Sequence, residues 1–159
     1  GERQWRWPEG ELRGSTASFK IIVSGMQLLA EYHPYESWAM FDSEKQRLLN
    51  YVNDNKINGV VLLSGDRHIG EILRDDLVFD YPLIEFTSSP LAAGVGGSTS
   101  DEIATRRIAN SEITAEHFGI LDFDFSGTDP TLIYSAMGQH GEQLGLSYTL
   151  RASQLMSPQ

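Results

Sequence analysis

Cysteine is absent from the 159 residues. Disulfides and thiolate metal sites are therefore excluded, while the redox compartment stays open. No apolar run approaches the roughly 18 residues of a membrane-spanning helix, so no span is expected. Basic residues are scarce: 12 Lys and Arg stand against 22 Asp and Glu, for a formal charge of −10. Nucleic-acid binding is driven by neutralising phosphates with Lys and Arg, so this balance argues against a nucleic-acid partner. A phosphate-ester substrate is not excluded, because bound cations would invert the local potential. Neither an initiator Met nor a signal peptide stands at Gly1, which opens in polar sequence. The expectation is an internal fragment, and nothing about export follows.

What is present suits one domain. A chain of about 150 residues buries roughly 70% of its unfolded surface. A hydrophobic fraction of 40% with 10% aromatics is that of a globular protein. Trp5–Arg13 reads as a short helix with Pro8 in its first turn, where a missing N–H costs nothing, and Gly14 ending it in the left-handed region. Lys20–Ser24 reads as a buried strand, with Gln27 just past its carboxyl end. Tying down the turn is the leading reading of Gln27, and facing a site the second. Glu31–Phe41 is dense in aromatics without a period and reads as an ordered loop. Packing is preferred over substrate contact for Tyr35 and Trp38, and a surface or structural role over metal ligation for His33.

Ser43-Glu44-Lys45-Gln46 has the form of a capping box, and Leu48, Leu49 and Val52 then make one apolar helical face. Ile57–Ser64 is the central strand, completing an α/β alternation. Arg74-Asp75-Asp76 reads as a solvated acidic turn and Tyr81–Thr87 as another strand. The glycine-rich stretch Ala92–Ser100 lacks a Gly-Lys-Ser/Thr and reads as a mobile loop. Asp101–Asn110 reads as polar helix or coil, with Arg106-Arg107 a solvated pair. Alternating residues in His117–Phe125, Thr131–Ala136 and Leu144–Leu150 predict an antiparallel meander of about three strands over one face of the core. Asp122 and Asp124 belong to its wet face, and His140 to an exposed turn.

The chemistry gathers at Ser64-Gly65-Asp66-Arg67-His68-Ile69-Gly70-Glu71. A buried-type strand stops at a glycine, and an Asp and a His follow one residue apart. Groups that do chemistry in α/β sheets sit beyond the carboxyl ends of such strands. Asp66 offers a hard anionic oxygen and His68 an imidazole nitrogen, a pair able to share a metal ion. Glu71, three residues on, is a candidate to fix the second ring nitrogen of His68. On these residues alone, ligation stands level with a structural reading, an Asp capping the next turn beside a satisfied His. Arg67 would pair with a phosphate oxygen if turned inward; an outward surface ion pair is an equal reading.

A series of blocks carries a resemblance. Gln4-Trp5 leads to Ser18-Phe19-Lys20-Ile21-Ile22-Val23-Ser24-Gly25 and Gln27; Ser37-Trp38, Glu44–Leu49 and Val60–His68 follow, then Thr87–Leu91 and His117-Phe118-Gly119. In this order they resemble the PhoD-like alkaline phosphatases and phosphodiesterases (alkaline phosphatase D), a branch of the calcineurin-like metallophosphoesterases. Pro8 and Gly10 depart from the usual pattern of the first helix. The resemblance implies that residues 1–159 are the carboxyl-terminal part of one catalytic domain, a mixed α/β fold within a two-sheet αββα sandwich. It implies hydrolysis of phosphate monoesters and diesters with a metal cluster, Ca and Fe or other divalent ions. Asp66 and His68 match the late metal ligands, and the earlier ligands would lie in an absent amino-terminal half of the domain. Glu71 then falls behind the ligands, and Arg67, Gln27 and Trp38 are the candidate substrate contacts. A periplasmic or extracellular location is also implied.

Two other readings stay open. One is a non-catalytic α/β scaffold that binds a partner; the other is a different metallohydrolase using Asp-x-His at a strand end. If the rest of a domain is missing, exposed apolar surface is expected.

Overall fold

The computed structural model describes residues 1–31, 35–98 and 105–158. The reading of His33 and the start of the Asp101–Asn110 segment lie outside the described residues. Among the described residues two helices and seven strands follow in order: α1 (Glu2–Gly14), β1 (Lys20–Val23), α2 (Asp42–Asp54), β2 (Val60–Ser64), β3 (Glu71–Asp75), β4 (Leu83–Thr87), β5 (His117–Asp124), β6 (Thr131–Gly138) and β7 (Gln143–Arg151). Short 3₁₀ turns cover Trp38–Phe41 and Ala152–Leu155.

The first four strands form one sheet in the order β1-β2-β4-β3, and the last three a separate antiparallel meander. β1, β2 and β4 run parallel, and β3 pairs antiparallel with β4. β2 and β4 are buried almost throughout, as expected of central strands covered on both faces. The meander lies on one face. Its inward residues Leu132, Tyr134 and Ala136 are buried at period two, and the Tyr134 ring stacks on Phe86 of β4 at 4.4 Å. On the other face, segment 27–30 crosses the sheet. There the Leu28 and Leu29 N–H groups donate to the Glu85 carboxylate at 2.8 and 2.6 Å.

Several expectations need correction. α1 begins at Glu2, so Pro8 sits mid-helix rather than in the first turn. The helix is secured from outside by α2: Arg47 bridges Glu2 and Glu9 and lies over the Trp5 ring, and the Tyr51 hydroxyl donates to the Glu9 carbonyl. Gly14 is the last helical residue, and the chain leaves through an extended Ser15 instead of a left-handed glycine. β1 is a half-buried edge strand with Val23 exposed, not a fully buried one. Ser43 is not an N-cap, because the 3₁₀ turn Trp38–Phe41 runs straight into α2 and leaves Phe41 at the cap position without a side-chain bond; Ser37 caps the 3₁₀ turn, accepting from the Ala39 N–H. Arg74 and Asp75 belong to a strand, β3, where the sequence suggested a turn.

Candidate functional site

β2 and β3 are not neighbours; β4 lies between them. The loop from Gly65 to Gly70 therefore crosses the carboxyl end of β4, the sheet end at which α/β sites are built. Within it Asp66 has φ of 66° and His68 has φ of 58°. Non-glycine residues in the left-handed region are uncommon and persist where the surroundings hold them. Here the Arg67 N–H donates to the Gly65 carbonyl at 2.8 Å and the His68 N–H to Ser89 Oγ at 3.1 Å. The His68 carbonyl accepts from the Gly96 N–H at 2.7 Å, and Gly70 exchanges both backbone hydrogen bonds with Ile113. A side chain at position 70 has no room: a Cβ there would stand 2.5 Å from Nε2 of the buried His117.

The two left-handed residues flank a buried one. Asp66 is exposed, Arg67 is 8% exposed and His68 is half-buried. All three line one cavity of about 290 Å³, together with Tyr35, Glu36, Gly96 and Gly97. Asp66 and His68 are thus brought together. Among the described residues no group of three or more His, Cys, Asp or Glu is placed to hold a metal ion. A carboxylate and an imidazole are a suitable start for a hard or borderline cation, but such ions take four or more donors.

The other predicted site residues sit elsewhere. Glu71 is 2% exposed; its Oε1 accepts from Gln27 Nε2 at 2.6 Å and its Oε2 from Arg107 Nε at 2.5 Å. Its carboxylate is thus spent under the sheet rather than on the His68 ring, because residue 71 faces the same side as Thr87 and Glu85. Gln27 is 1% exposed and also donates to Thr87 Oγ1, which is the tie-down reading. Trp38 donates its indole N–H to Ser24 Oγ at 2.9 Å and packs against the core. Neither Gln27 nor Trp38 is among the residues lining the cavity.

Arg106 and Arg107 are not a solvated pair. Arg106 meets Asp75 at 2.7 Å, Glu31 at 3.1 Å and the Leu29 carbonyl, while Arg107 meets Glu71 and, at 3.2 Å, Glu112. Asp75, read as part of a solvated turn, is 3% exposed. Glu112 continues the chain to the glycine-rich loop, accepting from Ser98 Oγ at 2.7 Å and the Ser98 N–H at 3.2 Å. Partial burial works against its charge, but the bonds from Ser98 and the fields of Arg107 and Arg67 outweigh that and hold its carboxyl below the usual range. Glu112, Ser98 and Glu85 were not singled out from the sequence, and Arg107 only as half of a solvated pair. The available signal was a carboxylate inside the apolar strand Leu83–Thr87, which demands buried donors.

A mixed α/β sheet covered on one face by an antiparallel meander, with an acid and an imidazole on the loop over its carboxyl end, defines the class of domain. The sequence profile of the PhoD-like phosphatases matches residues 1–132, and the chain belongs to that family. The fold is shared with a solved structure described as "Structure of PhoD", at a TM-score of 0.68 and 18% identity. The alignment covers 98% of this chain and 34% of that one, so the chain spans about a third of the length of that protein. No curated protein sequence matches the chain.

Proposed function

We propose that this chain supplies Asp66 and His68 as two ligands of a metal centre that hydrolyses phosphate monoesters and diesters. The remaining ligands come from the part of the domain that lies outside these residues. The observation that carries the reading is the loop itself, where two left-handed non-glycine residues direct a carboxylate and an imidazole to one cavity. Strain of this kind clusters at functional sites. Asp66 is exposed, so its carboxylate reaches an ion without breaking a buried pairing. His68 must present a neutral ring nitrogen, and its backbone is held on both sides, by Ser89 and Gly96. Bound cations would clamp the phosphoryl oxygens, lower the pKa of a bound water and stabilise the leaving oxygen. Ca and Fe, or other divalent ions, are the metals proposed, and a periplasmic or extracellular site of action goes with the same family reading. Arg67 lies low in the cavity, where its charge acts on Glu112.

The test is hydrolysis of p-nitrophenyl phosphate and bis-p-nitrophenyl phosphate with added metals, on this chain and on this chain joined to its upstream sequence. The joined form turns over, and Asp66→Ala or His68→Ala lowers the rate at least about 100-fold along with bound metal. Unchanged turnover in both variants refutes the assignment. A joined form inactive with every metal, and free of bound metal, replaces it with the non-catalytic scaffold reading.

A further inference from the structure

The site loop is covered by a second, glycine-rich segment whose attachment is unusually specific. Residues 94–98 have no helix or strand, and apart from the exposed Val95 they are glycines and a serine. Gly96 packs closely where it stands, since a Cβ there would lie 3.1 Å from His68 Cβ and 3.3 Å from the Arg67 carbonyl oxygen, so a larger residue would have to push the site loop aside by a few tenths of an ångström. Its N–H donates to the His68 carbonyl at 2.7 Å, and Gly96 and Gly97 form one wall of the cavity that Asp66 and His68 share.

Two residues later the segment is tied down again. Ser98 gives both its hydroxyl and its N–H to Glu112 Oε1, and Glu112 Oε2 takes Arg107 Nη1. Arg107 in turn meets the buried Glu71, which Gln27 holds from the other side. Glu71 is the first residue of β3, directly after the site loop. The two ends of this chain of contacts therefore meet at the same cavity, one through the loop of Asp66 and His68 and the other through its glycine wall. An arginine that bridges two carboxylates through different nitrogens fixes both in plane, which a lysine does not.

We propose that Arg107 and Glu112 are positioning residues. They hold segment 94–98 closed against His68, and so set the width of the cavity in which the phosphoester is bound. Only the catalytic arm of the test rests on the reading of Asp66 and His68 given above.

The first arm needs no turnover. Amide hydrogen exchange is followed at Gly96 and, as an internal reference, at Phe86 in the centre of β4, in Ser98→Ala, Glu112→Gln, Arg107→Lys and the Ser98→Ala/Glu112→Gln pair. Gly96 exchanges at least about fivefold faster in each variant, Phe86 keeps its rate, and the pair is no faster than the faster single, because both break one attachment. A Gly96 rate within twofold of the parent in Ser98→Ala and Glu112→Gln overturns the proposal. If a variant also accelerates Phe86, the decision passes to Ser98→Ala, which removes one hydroxyl from an exposed loop. The second arm uses the active joined form. There Ser98→Ala and Glu112→Gln raise KM for p-nitrophenyl phosphate at least about fivefold with kcat within twofold. An unchanged KM overturns the role of the wall in binding. Absent turnover is a failure of the metal-site reading, and the exchange arm still decides the attachment.

Discussion

In the β1–β4 sheet Glu71, Asp75 and Glu85 are 2%, 3% and 0% exposed, whereas Asp122 and Asp124 of the meander stand in solvent, although all five lie within strands. Alternation alone would treat them alike. The pairing of β3 with β4 puts Glu71, Asp75, Glu85 and Thr87 on one face of the sheet and Ile72, Ile84 and Phe86 on the other. The apolar side meets the meander through Phe86 and Tyr134. The polar side would be wet in a two-layer protein, but here segment 27–30 crosses it and Arg106 and Arg107 close it at β3. One sheet uses its polar face as a buried scaffold for the site, while the other leaves it to water. A buried carboxylate is kept only where donors are supplied from several parts of the chain, so the first sheet is sensitive where the second is tolerant.

The sharpest break of this contrast is Glu85→Ala, which orphans the Leu28 and Leu29 N–H groups. It should cost about 3–5 kcal/mol in urea unfolding, with the protection of segment 27–30 lost first. Leu132→Ala, at a fully buried position of the meander, should cost about 2–5 kcal/mol, showing that the sheets differ in polar rather than apolar burial. Gly70→Ala forces a Cβ against His117 and should cost about 1–3 kcal/mol by thermal unfolding, with activity of the joined form reduced as the site loop shifts. Asp66→Gly relieves a left-handed backbone and should gain up to about 1 kcal/mol while removing the ligand proposed above, so on that proposal stability and turnover of the joined form move in opposite directions. Asp122→Ala, on the wet face, should stay within about 0.5 kcal/mol of the parent.

Acidity separates Glu85 from two carboxylates of the meander by sign. Burial pushes the Glu85 carboxyl above its ordinary value, and the bonds from Leu28, Leu29 and Ser64 only partly offset this. The folded state therefore holds the proton more tightly than the unfolded one. Glu85 is least costly below its unfolded value near 4.5, and its contribution falls as pH rises through the higher folded value. In the meander, Asp124 is held below 3.8 by Ser126, and Asp129 below the same value by Ser153. Their contribution is present above 3.8 and is lost as pH falls through the folded values. Unfolding curves taken between acid and neutral pH should show the gap between parent and Glu85→Gln narrowing as pH rises. The gap between parent and Asp129→Asn should instead close on acidification. Parallel curves would remove the distinction.

Much of the architecture was legible along the chain. Continuous apolar runs marked β2 and β4, period-two alternation marked β5 to β7, and the apolar face of α2 was read from Leu48, Leu49 and Val52. Asp66 and His68, which line one cavity, were picked out as candidates because a glycine-bounded strand end announces itself locally. β3 was missed because Glu71-Ile72-Leu73-Arg74-Asp75 carries three charges in five residues, a composition that reads as surface until Arg106 and Arg107 are placed beside it. The same blindness turned those arginines into a solvated pair.

Residue order alone therefore determined the alternation of elements, the meander, the family and the Asp-x-His loop, since each depends on contiguous pattern. Only the tertiary structure decided which carboxylates are buried, that Glu71 answers Gln27 and Arg107, and that Glu112 and Ser98 reach back to the glycine wall beside His68. Those partners are 14 to 44 residues apart along the chain. A charge is worth burying only when its counter-charges arrive together, and no local window shows that they will.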